Sequence, residues 1–162
     1  MRVNAAVKVV APIDRVWSFV ADPERVLSYM SGVTRWEVAG DRRTGLGARY
    51  QVLFRVGAAE IGGLIEVVEF DAPREFAWTS VLGIDQRGRW RLRELPGGQT
   101  KVELRMAYGV AGSGRSGWIA EHVAAPTVTR HLKRTLSQLK RMIEHEEQRE
   151  RAAARRAAAR AA

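Results

Sequence analysis

Apolar and polar residues alternate with period two along six stretches of the chain, roughly 33–39, 48–56, 60–70, 75–82, 86–95 and 101–110. That period marks half-buried strands. Turn residues separate the stretches: Gly40-Asp41-Arg42, Gly57, Asp71-Ala72-Pro73, Gly83 and Pro96-Gly97-Gly98. A further strand, about 2–10, opens the chain. Two short helices follow it, about 13–21 and 23–29, with Asp22 as an N-cap and Pro23 in a first turn. After Gly112-Ser113-Gly114-Arg115-Ser116-Gly117 the pattern becomes helical from about Trp118, and Pro126 predicts a kink or a late start. Sequential strands joined by short turns predict an antiparallel meander.

Alternation also assigns faces. In 86–95 the odd positions Arg87, Arg89, Arg91 and Arg93 are excluded from the interior, which leaves Trp90 and Leu92 inside. In 101–110 Val102, Leu104, Met106, Tyr108 and Val110 face in. In 75–82 Phe76, Trp78, Ser80 and Leu82 do. Keeping even positions opposite even ones predicts three rows across the sheet. The first is Phe70, Phe76, Leu92 and Leu104. The second is Val68, Trp78, Trp90 and Met106, and the third is Tyr50, Glu66, Ser80, Gly88 and Tyr108. A slip of one residue turns a strand inside out, so parity is better determined than row membership.

The final helix carries a stripe of Trp118, His122, Ala125, Thr129, Leu132, Leu136, Leu139 and Ile143. Its second half reads as core. Its first half is small or polar, and small residues facing a wide sheet leave a void suited to an apolar ligand. The expected pocket lies between Trp118, His122, Ala125 and Thr129 on the helix and Tyr50, Glu66, Trp78, Ser80, Trp90, Met106 and Tyr108 on the sheet. Glu66 and His122 are the acid/base candidates, because a carboxylate in an apolar pocket has a raised pKa and can move protons. Trp17, Phe19 and Trp36 read as packing, and His131 and His145 fall off the stripe and read as surface residues.

Several motifs then carry a resemblance. Val7-Lys8-Val9-Val10-Ala11-Pro12-Ile13-Asp14-Arg15-Val16-Trp17-Ser18-Phe19 opens the chain, and Leu46-Gly47-Ala48-Arg49-Tyr50, Phe70-Asp71-Ala72-Pro73-Arg74 and Trp90-Arg91-Leu92 follow in order. Together they resemble the START-like (SRPBCC) superfamily over about Val3 to Ile143. The resemblance implies an α+β helix-grip fold: a curved antiparallel sheet of seven strands wrapped around a long C-terminal helix, with two short helices after the first strand. It also implies an apolar ligand held between sheet and helix.

Composition narrows the chemistry. The 162 residues fit one domain, read as 1–147, followed by a basic Ala/Arg tail, 148–162, helical or disordered. There is no cysteine, hence no disulfide, thiolate metal site or cysteine nucleophile. No histidine pair has metal spacing with a third ligand, so neither a metal nor another cofactor is expected. Gly112-x-Gly114-x-x-Gly117 fits a dinucleotide fingerprint, but no parallel strand follows it, so it reads as a loop. Ser80 and His122 lack an orienting acid and make no triad. With no apolar run of bilayer length and no leader-like start, a cytoplasmic protein is expected. The net charge of +9 is concentrated in part in the tail, where Arg149, Arg151, Arg155, Arg156 and Arg160 face one glutamate.

Three readings of function follow. The first is a carrier or sensor that binds a lipid, isoprenoid or polyketide-like molecule without chemistry. The second is a polyketide cyclase/dehydrase-type enzyme that closes a ring by aldol addition and loses water. The third is an interaction protein whose tail makes weak contact with nucleic acid, ribosome or anionic membrane.

Overall fold

In a computed structural model, the structure describes residues 2–109 and 115–161, with the side chains of 56 and 115–125 outside the description. The elements run β1 (Arg2–Val9), α1 (Ile13–Val20), α2 (Val26–Tyr29), β2 (Val33–Val38), β3 (Arg49–Val56), β4 (Ala59–Asp71), β5 (Glu75–Gly83), β6 (Gln86–Leu95), β7 (Gln99–Tyr108) and α3 (Arg115–Ala161). The seven strands form one antiparallel sheet in the order β1-β7-β6-β5-β4-β3-β2. This is the helix-grip arrangement expected from the sequence. α3 runs through Pro126 and on through the arginine-rich segment, so Pro126 does not mark its start. The second short helix is only four residues long. Asp22 accepts a hydrogen bond from Glu24 N–H at 3.0 Å and shapes the turn ahead of it.

α1 buries Ile13, Val16, Phe19 and Val20 and leaves Asp14 in its first turn, where a negative charge suits the helix N-terminus. Trp17 meets Phe70 and Phe76 edge-on, with ring centroids 5.1 and 6.3 Å away. Thr100 Oγ1 donates to Ala11 O at 2.8 Å and fixes the strand-to-helix corner. The far half of α3 is tied to the body by charge. Val10 N–H donates to Glu144 at 2.8 Å, and Lys140 Nζ donates to Lys8 O at 2.8 Å. Arg15 pairs with Glu146, Glu147 and Glu150, and Arg25 pairs with Glu146 while stacking on Phe19. Burial raises the Glu144 carboxyl, but the bonds from Lys140 and Val10 outweigh it and hold the group below the ordinary carboxylate range.

The expected parities hold in β6, in β7 and in the first part of β5, where Phe76, Trp78, Trp90, Leu92, Val102, Leu104 and Met106 are all buried. Leu82, expected inward, is exposed, because Val81 is an extra residue on β5 that breaks the alternation before it. Val110 lies outside the described residues. The rows need correction. Phe76 pairs with Trp90, and Trp90 with Leu104, so β6 sits two residues from its expected register against both neighbours. Gly88 therefore lies opposite Trp78 and Met106. A Cβ there would fall 1.9 Å from the Trp78 ring, so the indole occupies the space a side chain would need. Between β4 and β5 the register shifts twice: Val81 is an extra residue on β5, and Val68 is an extra residue on β4. Such irregularities put an extra residue on one strand and change which face follows. Ile65 and Val67 consequently point inward with Tyr50 and Val52, whereas Val68 is half exposed.

Candidate functional site

The interior beneath α3 has a filled part and a hollow part. Leu136, Leu139 and Ile143 belong to a continuous buried cluster with Val9, Phe19, Trp90 and Leu92. Nearer the start of the helix, Val128, His131, Leu132 and Thr135 face a cavity of about 120 Å³. Its apolar wall includes Met30, Phe54, Ile61, Leu104, Met106 and Leu132. Its polar lining includes Ser31, Gln86, Tyr108, His131 and Thr135. Arg55 is at its edge and pairs with Glu60, and no carboxylate lines it among the described residues.

The expected site residues divide. Met106 and Tyr108 line the cavity. Trp78 and Trp90 are buried in the core and are not part of the cavity wall. Tyr50 stacks on Trp36 at 5.1 Å, and its hydroxyl donates to Arg43 O at 2.7 Å, so its polar end is used within the fold. Burial raises the Tyr50 pKa, with Thr44 and Arg43 acting against it. Ser80 accepts a hydrogen bond from Gln86 N–H at 3.2 Å and pins the β5–β6 turn. Thr129 lies outside the cavity, in a surface groove with Pro126, Arg130, Lys133 and Arg134. The side chains of Trp118, His122 and Ala125 lie outside the described residues.

Glu66 is the main correction. It pairs across the strands with Arg49, and its carboxylate accepts from Arg49 Nε at 2.7 Å. The extra residue Val68 reverses the alternation between Phe70 and Glu66 and leaves Glu66 on the outer face, so it is not the interior acid that simple alternation places there. His131 is the converse correction. The helix stripe assigns it to the surface, yet it is partly buried and lines the cavity.

His131 belongs to a small polar cluster at the α2–β2 junction. Its Nδ1 lies 2.9 Å from Ser31 Oγ, and Ser31 N–H donates to Thr135 Oγ1 at 2.9 Å. Thr135 is fully enclosed. Gly32 has φ +86°, a conformation that favours glycine. A Cβ on it would meet the His131 ring at 2.8 Å, so the imidazole packs directly on this backbone. Burial, then Arg134 and Arg130, push the His131 pKa down, which keeps the ring neutral near pH 7. Two signals in the sequence point here: the Ser31-Gly32 pair between a helix and a strand, and Thr135, a hydroxyl beside Leu136 of the core stripe. Among the described residues no cluster of His, Asp or Glu could hold a metal ion. No described helix is long and apolar enough to cross a membrane.

A family model described as polyketide cyclase / dehydrase and lipid transport matches residues 1–144. A comparison with curated protein sequences gives no match. Among solved structures, a Thermus thermophilus protein is similar with TM-score 0.76 and 20% identity, covering 88% of this chain and 97% of that one. The Zhui aromatase/cyclase from a Streptomyces species is similar with TM-score 0.75 and 19% identity, covering 89% and 93%. A Deinococcus radiodurans protein follows at TM-score 0.68 and 20% identity, covering 90% and 98%. At these identities the likeness is one of fold.

Proposed function

Because the chain belongs to the polyketide cyclase / dehydrase and lipid transport family, we propose that it binds an apolar or aromatic small molecule between α3 and the sheet. The observation that carries this reading is the cavity of about 120 Å³ with its wall of Met, Leu, Ile and Phe side chains. An engineered cavity of roughly 150 Å³ with a similar lining stays dry and takes up benzene. The volume therefore suits one ring, or a segment of a longer chain. Each methylene moved from water into such a site contributes about 0.8 kcal/mol.

The test is native mass spectrometry of the gently purified protein, followed by extraction and identification of any retained compound. Val128→Phe is its control, because the larger ring would occupy the cavity from the helix side. A retained compound that disappears in Val128→Phe supports the reading. Retention unchanged by that substitution places the ligand elsewhere and defeats it.

A second reading, ring closure with loss of water, is favoured by the neutral imidazole in the cavity wall. Such chemistry uses an acid/base group beside the substrate. With Glu66 facing outward, that role passes to His131, with Tyr108 as the other titratable hydroxyl in the lining.

A further inference from the structure

We propose that His131, set by Ser31, is the polar anchor of the cavity and selects ligands bearing a weakly acidic hydroxyl, a phenol or an enol, on an otherwise apolar body. The inference rests on the reading of the cavity as a ligand site and names the chemistry that the site takes.

A neutral imidazole has one donor and one acceptor nitrogen. Ser31 Oγ takes Nδ1 at 2.9 Å, which leaves Nε2. When Nδ1–H donates to Ser31, Nε2 keeps its lone pair and accepts a hydrogen bond. The serine is itself fixed, because its backbone N–H is held by the buried Thr135 hydroxyl one helical turn from His131. The ring is pressed on Gly32, where no side chain fits. The position of the ring is therefore preset rather than recruited, and the tautomer proposed is the one in which Nδ1 carries the proton.

The charges around it decide what it accepts. Arg130 and Arg134 flank His131 on α3, Arg55 comes from β3, and Tyr108 faces the cavity from β7. Asp85 approaches Gly109 at the rim, and the Met30–Gly32 segment brings no titratable group. With Arg55 paired to Glu60, it is Arg134 and Arg130 that disfavour a positive charge on the ring and favour a ligand oxygen that takes on negative character. A full carboxylate would have to shed its water among methionine, leucine and phenylalanine side chains, which is costly. A phenol or enol hydroxyl avoids that cost and shares its proton with Nε2.

Phenol and toluene, which match in shape and differ in hydroxyl against methyl, are the probes, titrated into the full-length protein by ligand-observed NMR from pH 5 to pH 8. In the wild type, phenol affinity is expected to fall as pH drops through the His131 pKa, below the usual value of about 6.5, while toluene affinity stays level. His131→Gln should remove the pH dependence. His131→Leu should weaken phenol roughly three- to tenfold, the range of one net hydrogen bond, and leave toluene unchanged or tighter. Two results overturn the anchor while leaving the cavity reading intact: both probes bind with no pH dependence for phenol, or His131→Leu weakens both equally, the mark of a purely structural histidine. Failure of both probes to bind the wild type overturns the cavity reading, and the anchor with it.

Discussion

The two halves of the α3 interface are built from the same kinds of element and end differently. Around Leu136, Leu139 and Ile143, helix, sheet and α1 share one closed cluster, and charge pairs from Arg15, Arg25 and Lys140 fasten its rim. Around Val128, His131 and Leu132, the helix stands over a void, and the fastening is a pair of contacts to Ser31. The contrast teaches that a hollow in this fold is not missing structure. It is a place where moderate side chains face one another and a polar clamp, rather than apolar filling, holds the helix in position.

The sharpest way to break that comparison is to remove a leucine from each half. Leu139→Ala, in the filled half, should cost about 4 kcal/mol, because it opens a cavity in a closed core. Leu132→Ala should cost nearer to about 2 kcal/mol, because its neighbours already border empty space. Urea unfolding measures both, and equal losses would mean that the two halves are packed alike. Gly32→Ala is next, at about 1–3 kcal/mol, since it combines a positive φ with an approach to the imidazole. The same variant should weaken phenol more than toluene, because the anchoring ring must move.

The smallest effect is one of pH. The folded state lowers the His131 pKa, so the unfolded chain takes up that proton more readily. The stability tied to this group is complete above about pH 6.5 and is lost as pH falls through the folded-state pKa. His131→Gln should flatten the change in urea midpoint between pH 7 and pH 5 relative to the wild type. An unaltered slope would assign the acid sensitivity to other groups.

The architecture is legible because it follows from element order and from alternation strong enough to survive small register errors. The inward positions of β6 and β7 are examples: Arg87, Arg89, Arg91 and Arg93 of β6 leave one solution only. Glu66 escapes such reading because one extra residue in β4, Val68, reverses the alternation, and nothing in the run Gly62-Gly63-Leu64-Ile65-Glu66-Val67-Val68 announces it. β6 lies two residues from its expected register against both neighbours because alternation fixes the face a residue takes, and a slide of two residues leaves every face unchanged. His131 escapes for a related reason. A helix stripe drawn through Thr129 leaves it to one side, whereas the face presented to the cavity runs through Val128, His131 and Thr135. The Ser31 contact that orients its ring joins residues a hundred positions apart in sequence.

The clasp of Arg15 on Glu146, Glu147 and Glu150 also sets a phase. α3 continues unbroken from there to Ala161, so the rotation of each later residue is counted from the clasp. At 3.6 residues per turn, spacings of seven and four bring Arg149, Arg156 and Arg160 to one side, while Arg151 and Arg155 share another. One alanine inserted after Arg151 would swing Arg156 and Arg160 by about 100° relative to Arg149. The cavity would be untouched. The tail thus works like the dial of a lock whose zero is engraved on the body, and its reading can be changed by length alone, without altering a single charge.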